Sequence, residues 1–475
     1  MQALTRRASY WGLGGLVAQG INLLAVALTA HAVSQATFGS YRQMVLLHGL
    51  LTILFLYSLG SAVLHFVQSH ADTALARRVF GLQLTLGGIA SVVLLVASPL
   101  FAEWFNNPDL TLSLRVFSPY PLLIAVGISV PLLIHSLGRE RAAGLSLVIQ
   151  PAAVALGLSV AAFAVGSSVA IAAGMVIGAG VGAILTYLLA GFRLGTSVTP
   201  KVRGESRHLL AFSLPLGVAA GTTLLGYQID QLMVAALTTP TAYAVYAAGA
   251  IEVPLVKLVR DSVAVSALPA LVEALRSGDR DTFRGLWARS IELVGLVVLP
   301  LAVTFWIAAP WIIGLLFGVG YTDAILFFRL YLLAIPARLF WHEGVLMATG
   351  RTRPAIALTL MFAALNLVLN AIGWWLIGIE ALPVATAISV AVSAVLFASV
   401  GARQLDLPLR DVLPIRSVIP GVIAAIVVLA ALMAGRAVID VTGIVSNILV
   451  IGGIAGGSWL VVAGIYFRSH RTSED

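Results

Sequence analysis

The sequence contains no cysteine, which excludes disulfides, thiol catalysis and cysteine-based metal centres. Charge is almost as scarce. Asp, Glu, Lys and Arg make up 10% of the 475 residues, whereas 60% are hydrophobic. A soluble domain carries roughly 25% charged residues, because its surface must face water. A chain this long and this poor in charge cannot cover such a surface, so its solvent is a bilayer. Nucleotide and metal motifs are missing too. There is no Walker-type phosphate loop, and His342-Glu343 lacks a second His at metalloprotease spacing. The series Gly174, Gly178, Gly180 and Gly182 lies within an apolar helix, where small residues let helices approach closely. A dinucleotide loop would have to follow a strand. The expectation is a protein that is not an enzyme and needs no cofactor or metal.

What is present confirms the class. The net charge is +8 and the isoelectric point about 10.0, but the basic residues are scattered over short loops between apolar stretches. No continuous patch follows a phosphate backbone, so nucleic acid is not an expected partner. Measured against the roughly 20 residues needed to cross hydrocarbon, spans are predicted near 10–33, 43–67, 79–101, 116–136, 144–166 and 169–191. A second set is predicted near 209–236, 243–267, 290–309, 326–349, 354–376 and 382–401, and two more near 416–435 and 444–467. The first is longer than the 7–15-residue apolar region of a signal peptide, so it is read as an uncleaved span. With the N-terminus cytoplasmic, the outer loops hold only Arg42, Arg115 and Arg436, and Lys257, Arg260, Arg329 and Arg338 lie inside spans. All other Lys and Arg fall on the cytoplasmic side, an asymmetry that supports an even number of spans with both termini inside.

Short patterns recur in order along the two halves. Phe38-Gly39-Ser40-Tyr41 returns as Tyr243-Ala244-Val245-Tyr246, and Asp72-Thr73 as Asp281-Thr282. Ser98-Pro99 returns as Ala309-Pro310, and Gly138-Arg139-Glu140-Arg141 as Gly350-Arg351-Thr352-Arg353. Six helices per copy keep both halves in one orientation, related by an axis along the membrane normal, with a cavity expected between them. The fold class expected is therefore an all-α polytopic membrane protein of about fourteen transmembrane helices. It comprises an N-lobe (1–192), a cytoplasmic linker (193–208), a C-lobe (209–402) and two final helices with a tail (403–475).

Several segments resemble bacterial polysaccharide flippases of the multidrug/oligosaccharidyl-lipid/polysaccharide exporter superfamily. They are Ser34-Gln35-Ala36-Thr37-Phe38-Gly39-Ser40-Tyr41, Tyr227-Gln228-Ile229-Asp230-Gln231-Leu232, Leu316-Phe317-Gly318-Val319-Gly320-Tyr321 and Ala348-Thr349-Gly350-Arg351-Thr352. The resemblance implies two six-helix lobes forming a V. It implies a substrate of sugars on a polyprenyl diphosphate carrier, moved from the cytoplasmic to the outer leaflet of a bacterial inner membrane for surface polysaccharides such as O-antigen or lipopolysaccharide. Partners expected on this footing are the lipid-linked glycan, the bilayer, and the polymerase and chain-length machinery, with the flippase itself a monomer. Lipid II flippases and multidrug antiporters share the superfamily and are the alternatives.

Charges inside a membrane usually face a cavity or pair with one another. Helix 8 holds Glu252, Lys257, Arg260 and Asp261. Lys257 and Asp261 stand four apart, so an ion pair between them is geometrically easy; Arg260 shares a side with Lys257 and can present a cationic face. Helix 10 carries Arg329, Arg338, His342 and Glu343 around Pro336. Arg329 reads as an interfacial anchor, Arg338 as a deeper phosphate ligand. Arg42 is the one candidate cation of the N-lobe. Together Arg260, Lys257, Arg338 and Arg42 are the expected diphosphate ligands, since guanidinium groups make bidentate, charge-assisted bonds to phosphate. Asp230, His342 and Glu343 are the expected ion-coupling groups, and Asp261, Glu252 and Arg329 the expected structural partners.

Overall fold

The computed structural model describes residues 2–55, 73–136, 139–191, 221–222, 224–251, 253–340, 345–346, 352–439 and 443–471. The chain divides into two compact units, Met1–Ala247 and Ala248–Asp475. The linker expected at 193–208 lies outside the described residues, as do Glu252, His342 and Glu343.

The first unit runs through α1 (Gln2–Ala32), α2 (Gln35–Phe55), α3 (Thr73–Val96), α4 (Ser98–Trp104), α5 (Leu110–Phe117), α6 (Tyr120–Ser136), α7 (Glu140–Ala164) and α8 (Ser168–Ala190). It ends with α9 (Ile229–Leu237) and most of α10 (Pro240–Gly249), whose last two residues fall to the second unit. The second unit holds α11 (Pro254–Arg276), α12 (Arg280–Phe317), α13 (Ala324–Leu332), α14 (Ile335–Arg338), α15 (Thr352–Leu376) and α16 (Ala381–Leu405). It closes with α17 (Leu409–Val412), α18 (Ile419–Val438) and α19 (Ile444–Arg471). Among the described residues eight helices are long and apolar enough to cross a membrane, and ten if each of two bent pairs counts as one span. The protein is an all-α polytopic membrane protein. Large apolar side chains such as Ile177, Trp375 and Ile465 stand exposed on its helices, as a hydrocarbon solvent permits.

Several predicted spans are broken, and most breaks have a local cause. The span near 79–101 bends by 64° between α3 and α4, where Pro99 lacks the N–H that would continue the ladder and Ser98 Oγ donates to Leu95 O at 2.9 Å. The span near 243–267 is interrupted between Gly249 and Pro254, which opens α11. The span near 326–349 is divided between α13 and α14, with Pro336 in the first turn of α14. The spans near 43–67 and 209–236 fall partly outside the described residues.

Small residues set the tightest packing. A Cβ on Gly174 would sit 2.3 Å from Gly157 O, and one on Gly178 2.4 Å from Ala153 O, so α7 and α8 touch backbone to backbone. Gly182 closes on Gln150 of α7, while Gly180 faces away. In the second unit α12 is the spine. Gly421 brings α18 against Gly295 O, and Trp459 of α19 donates its indole N–H to Leu296 O at 2.9 Å. Asp279 caps the spine by accepting Thr282 N–H at 3.0 Å, and that bond holds its carboxyl below the usual range.

The closest backbone approach positions the functional region. A Cβ on Gly39 would lie 1.9 Å from Pro240 O, so α2 crosses the α9–α10 turn without room for a side chain. Gly39→Ala should therefore cost about 1–3 kcal/mol of stability. Gly20→Ala on α1, where no atom lies within 4 Å, should be neutral or stabilising by helix propensity. Thermal unfolding of the detergent-solubilised protein checks the pair, and equal shifts would contradict the packing described.

Candidate functional site

The first turns of α2 gather an unusual density of buried polar groups, Ser40, Gln43 and the half-buried Arg42 among them. Ser34 starts the helix by accepting Thr37 N–H on its hydroxyl at 3.2 Å, which fixes the register of Phe38 to Gln43. Gln43, fully buried, is the clamp. Its amide donates to Ala235 O of α9 at 3.2 Å and to Phe105 O at 3.4 Å. Its oxygen accepts Asn107 Nδ2 at 2.7 Å, and the same nitrogen donates to Ser40 Oγ at 2.9 Å. One glutamine thus ties α2 to α9 and to the turn after α4.

Asp230 lies in the first turn of α9 and is fully buried. One carboxylate oxygen accepts Gln231 N–H at 2.8 Å and the other the Tyr246 hydroxyl at 3.1 Å. Tyr246 and Tyr41 are counterparts in the internal repeat. The Arg42 guanidinium acts electrostatically on the Tyr41 and Tyr243 hydroxyls, and Asp230 acts on Tyr243, so a cation, two phenols and an anion share one neighbourhood.

That neighbourhood is not satisfied. Arg42 is half-buried and its Nε has no hydrogen-bond partner, and the Tyr243 hydroxyl and Gln228 Oε1 are also buried without one. Gly49 lies seven residues on from Arg42 and so on the same face of α2, and a Cβ there would lie 3.8 Å from the Gln228 Oε1. A buried polar group left unpaired costs about 1–3 kcal/mol. Three within one region define a place that gains from a polar or anionic ligand.

The remaining candidates are dispersed. On α11, Asp261 pairs with Arg260 (Nη2 at 3.1 Å, Nε at 3.2 Å) and not with Lys257 as the four-residue spacing suggested, and Lys257 is exposed. The reason is reach: the guanidinium fork folds back onto the adjacent carboxylate with two N–H groups, which an ammonium cannot match. Arg338 is half-buried at the end of α14. Arg329 donates from Nε to Trp306 O at 3.2 Å, its guanidinium 5.8 Å from the Trp306 ring centroid, which roots it on α12. The described residues show no cluster of metal-ligating side chains. Gln43, Gln228 and Tyr243 escaped the sequence reading because none carries a charge. Their region was nonetheless marked in the sequence, by the candidates Arg42 and Asp230, by the Tyr227–Leu232 segment of the resemblance and by the repeat of the Tyr41 segment at Tyr246.

The second unit also holds a cavity of about 430 Å³ walled by α12, α13, α14 and α18. Leu299, Val303, Trp306, Leu333, Ile426 and Leu429 are among its lining residues, and it has no ionisable wall.

A family model described as "Polysaccharide biosynthesis protein" matches residues 29–326, which include Arg42, Asp230 and Arg260 and stop short of Arg338. A probable lipid II flippase MurJ of Rhizobium tropici is 24% identical over 265 residues, 52% of this chain and 50% of that protein. One of Rhizobium meliloti (strain 1021) is 30% identical over 131 residues, 28% and 24% of the two chains. The chain spans at most about half the length of these curated relatives. A solved lipid II flippase MurJ in an inward closed conformation has a TM-score of 0.72 at 14% identity, over 97% of this chain and 99% of that one. An inward-facing multidrug resistance MATE family transporter of the MOP superfamily has a TM-score of 0.66 at 13% identity, over 83% and 94%. At such identities the likeness establishes the fold. The family match covers well over half of the sequence, and the chain therefore belongs to the polysaccharide biosynthesis protein family, on the fold shared by MOP-superfamily transporters.

Proposed function

We propose that the protein is a flippase that carries a polyprenyl-diphosphate-linked oligosaccharide from the cytoplasmic to the outer leaflet by alternating access, in the service of surface polysaccharide synthesis. The observation that supports this most directly is the half-buried Arg42 cation with an unpaired Nε, in a family of polysaccharide biosynthesis proteins. A diphosphate supplies the acceptors that Arg42 lacks, through charge-assisted bonds that are roughly twice as strong as neutral ones. Sugar hydroxyls, which both donate and accept, suit the unpaired Tyr243 and Gln228 groups. The polyprenyl tail needs apolar surface only, which lipid itself supplies. Lys257, Arg260 and Arg338 form the second cationic set of this reading.

A lipid II-type flippase is the second reading, favoured by the names of the two sequence relatives. Both readings share the polyprenyl diphosphate and differ in the sugar. A multidrug antiporter rests on fold similarity alone, and an arginine among the unpaired groups suits it poorly. In either flippase the bacterial inner membrane, cytoplasmic termini, a monomer and polymerase partners belong to the proposal. Asp230 is the described candidate for coupling to a proton or sodium gradient, alongside His342 and Glu343.

Glycan export in cells, with membrane insertion checked in the same samples, tests the phosphate role. Arg42→Ala should lower export about 10–100-fold, the equivalent of losing one charge-assisted hydrogen bond. Arg42→Lys should recover only part, because the planar fork is gone. Normal export by Arg42→Ala would remove Arg42 from the substrate path. For the second set, Arg260→Ala should reduce export and Asp261→Ala should not restore it. The Arg260–Asp261 pair is 31% and 47% exposed, so its loss costs less than about 1 kcal/mol of stability. Rescue by Asp261→Ala would make the pair purely structural. Export unaffected by collapsing both the proton and the sodium gradients would strip Asp230 of a coupling role.

A further inference from the structure

The chain between α16 and α18 is too firmly built for a plain connector. α16 ends at Asp406 in a left-handed conformation, and Leu407 N–H turns back to Ala402 O at 2.9 Å. Leu407 and Val412 are buried among Leu271, Phe283 and Trp287. The Trp287 indole N–H donates to Val412 O at 2.8 Å. Arg284 Nε meets the Asp411 carboxylate at 2.8 Å, and Arg280 holds Asp406 through both its carbonyl (3.3 Å) and its carboxylate (3.5 Å). Two ion pairs and an indole thus fasten the segment to the first turns of α12.

Fastening one side exposes the other. Leu409, Ile415 and Ile419 are 41%, 67% and 52% exposed, and beside them Arg410 and Arg416 project outward. The Arg410 side chain is 88% exposed and stands 3.9 Å from Asp411, a carboxylate already engaged by Arg284. The sequence Leu409-Arg410-Asp411-Val412-Leu413-Pro414-Ile415-Arg416 therefore presents alternating apolar and cationic groups on one outward surface.

Its place in the chain says what meets that surface. α16 and the stretch Leu409–Arg436, whose apolar part is α18, are each long and apolar enough to span the membrane, so the start of that stretch, which carries Arg410 and Arg416, lies at the boundary between hydrocarbon and water. There, apolar side chains sink to the acyl boundary while guanidinium groups sit level with phosphates. The Lys and Arg asymmetry places this boundary on the cytoplasmic side. An exposed cation there lies within the Debye length, about 8 Å at physiological salt, of the headgroup phosphates.

We propose that residues 409–419 form a rigid interfacial platform that binds anionic phospholipid headgroups of the cytoplasmic leaflet through Arg410 and Arg416, with Leu409 and Ile415 as the apolar footing. The partner is a lipid phosphate with its acyl chains attached, a ligand separate from any transported glycan.

The test is lipid retention by the purified full-length protein, measured by native mass spectrometry from micelles carrying phosphatidylglycerol or phosphatidylcholine. Wild type should retain phosphatidylglycerol preferentially. The double variant Arg410→Gln/Arg416→Gln should lose about fivefold of that preference per arginine removed. Arg276→Gln/Arg403→Gln, which takes the same charge from the same side but outside the platform, should change it little, and Leu409→Ser/Ile415→Ser should weaken retention of both lipids. All substituted side chains are exposed or lie near the chain surface, and unchanged thermal unfolding confirms that each variant folds. Equal losses in the two arginine double variants, or none in either, would overturn the proposal.

Discussion

Hydrocarbon offers no hydrogen bonds, so every polar group a chain carries into it must find a partner within the protein or wait for one to arrive. That constraint orders the structure. It explains why the described elements are helices, whose backbone groups are satisfied along the helix itself. It also explains why Gln43 uses its whole side-chain amide to bind three neighbouring groups, and why Asp230 takes a hydroxyl and an N–H. Against that economy the unpaired Arg42 Nε, Tyr243 hydroxyl and Gln228 oxygen stand out. A site that gains from an outside ligand is a site where binding energy can be spent on moving it.

The two units solve the packing problem differently. In the first, glycine removes side chains so that α7 and α8, and α2 and the α9–α10 turn, meet at backbone distance. In the second, α12 acts as a long post to which indole N–H groups attach distant segments, Trp287 to Val412 and Trp459 to Leu296. Arginine over an aromatic ring recurs on the same post, Arg329 at Trp306 and Arg436 at Trp311. Such contacts let a cation remain near the membrane boundary without a carboxylate partner.

Much of the fold was legible in the sequence because hydrophobic length is a one-dimensional signal. The α1, α7, α8, α12, α15, α16, α18 and α19 spans were each marked by an apolar run. Pro99 and Pro336 mark two of the breaks, and the close face formed by Gly174, Gly178 and Gly182 was visible as a spacing. The interruption between Gly249 and Pro254 was harder to read, since the apolar run continues through it. Of the candidate region, Asp230 is legible in the sequence by the cost of an acid inside a span, and Arg42 only as an outer-loop cation beside the repeated Phe38–Tyr41 segment. Gln228 and Tyr243 lie in segments that the resemblance and the repeat single out, Gln43 in neither, and all three gain meaning from what the folded chain puts beside them. The Arg260–Asp261 pair shows the same limit, because spacing ranks possible partners but side-chain reach chooses between them.

The central claim is that this chain moves a polyprenyl-diphosphate-linked oligosaccharide across the bilayer. Its most direct test is reconstitution of the purified protein in liposomes carrying such a lipid in the inner leaflet, with outward appearance of the glycan followed by a lectin or hydrolase added outside. The account predicts that wild type exposes the glycan far faster than protein-free liposomes and that Arg42→Ala does not. Glycan exposure at the protein-free rate with correctly inserted wild type would contradict it.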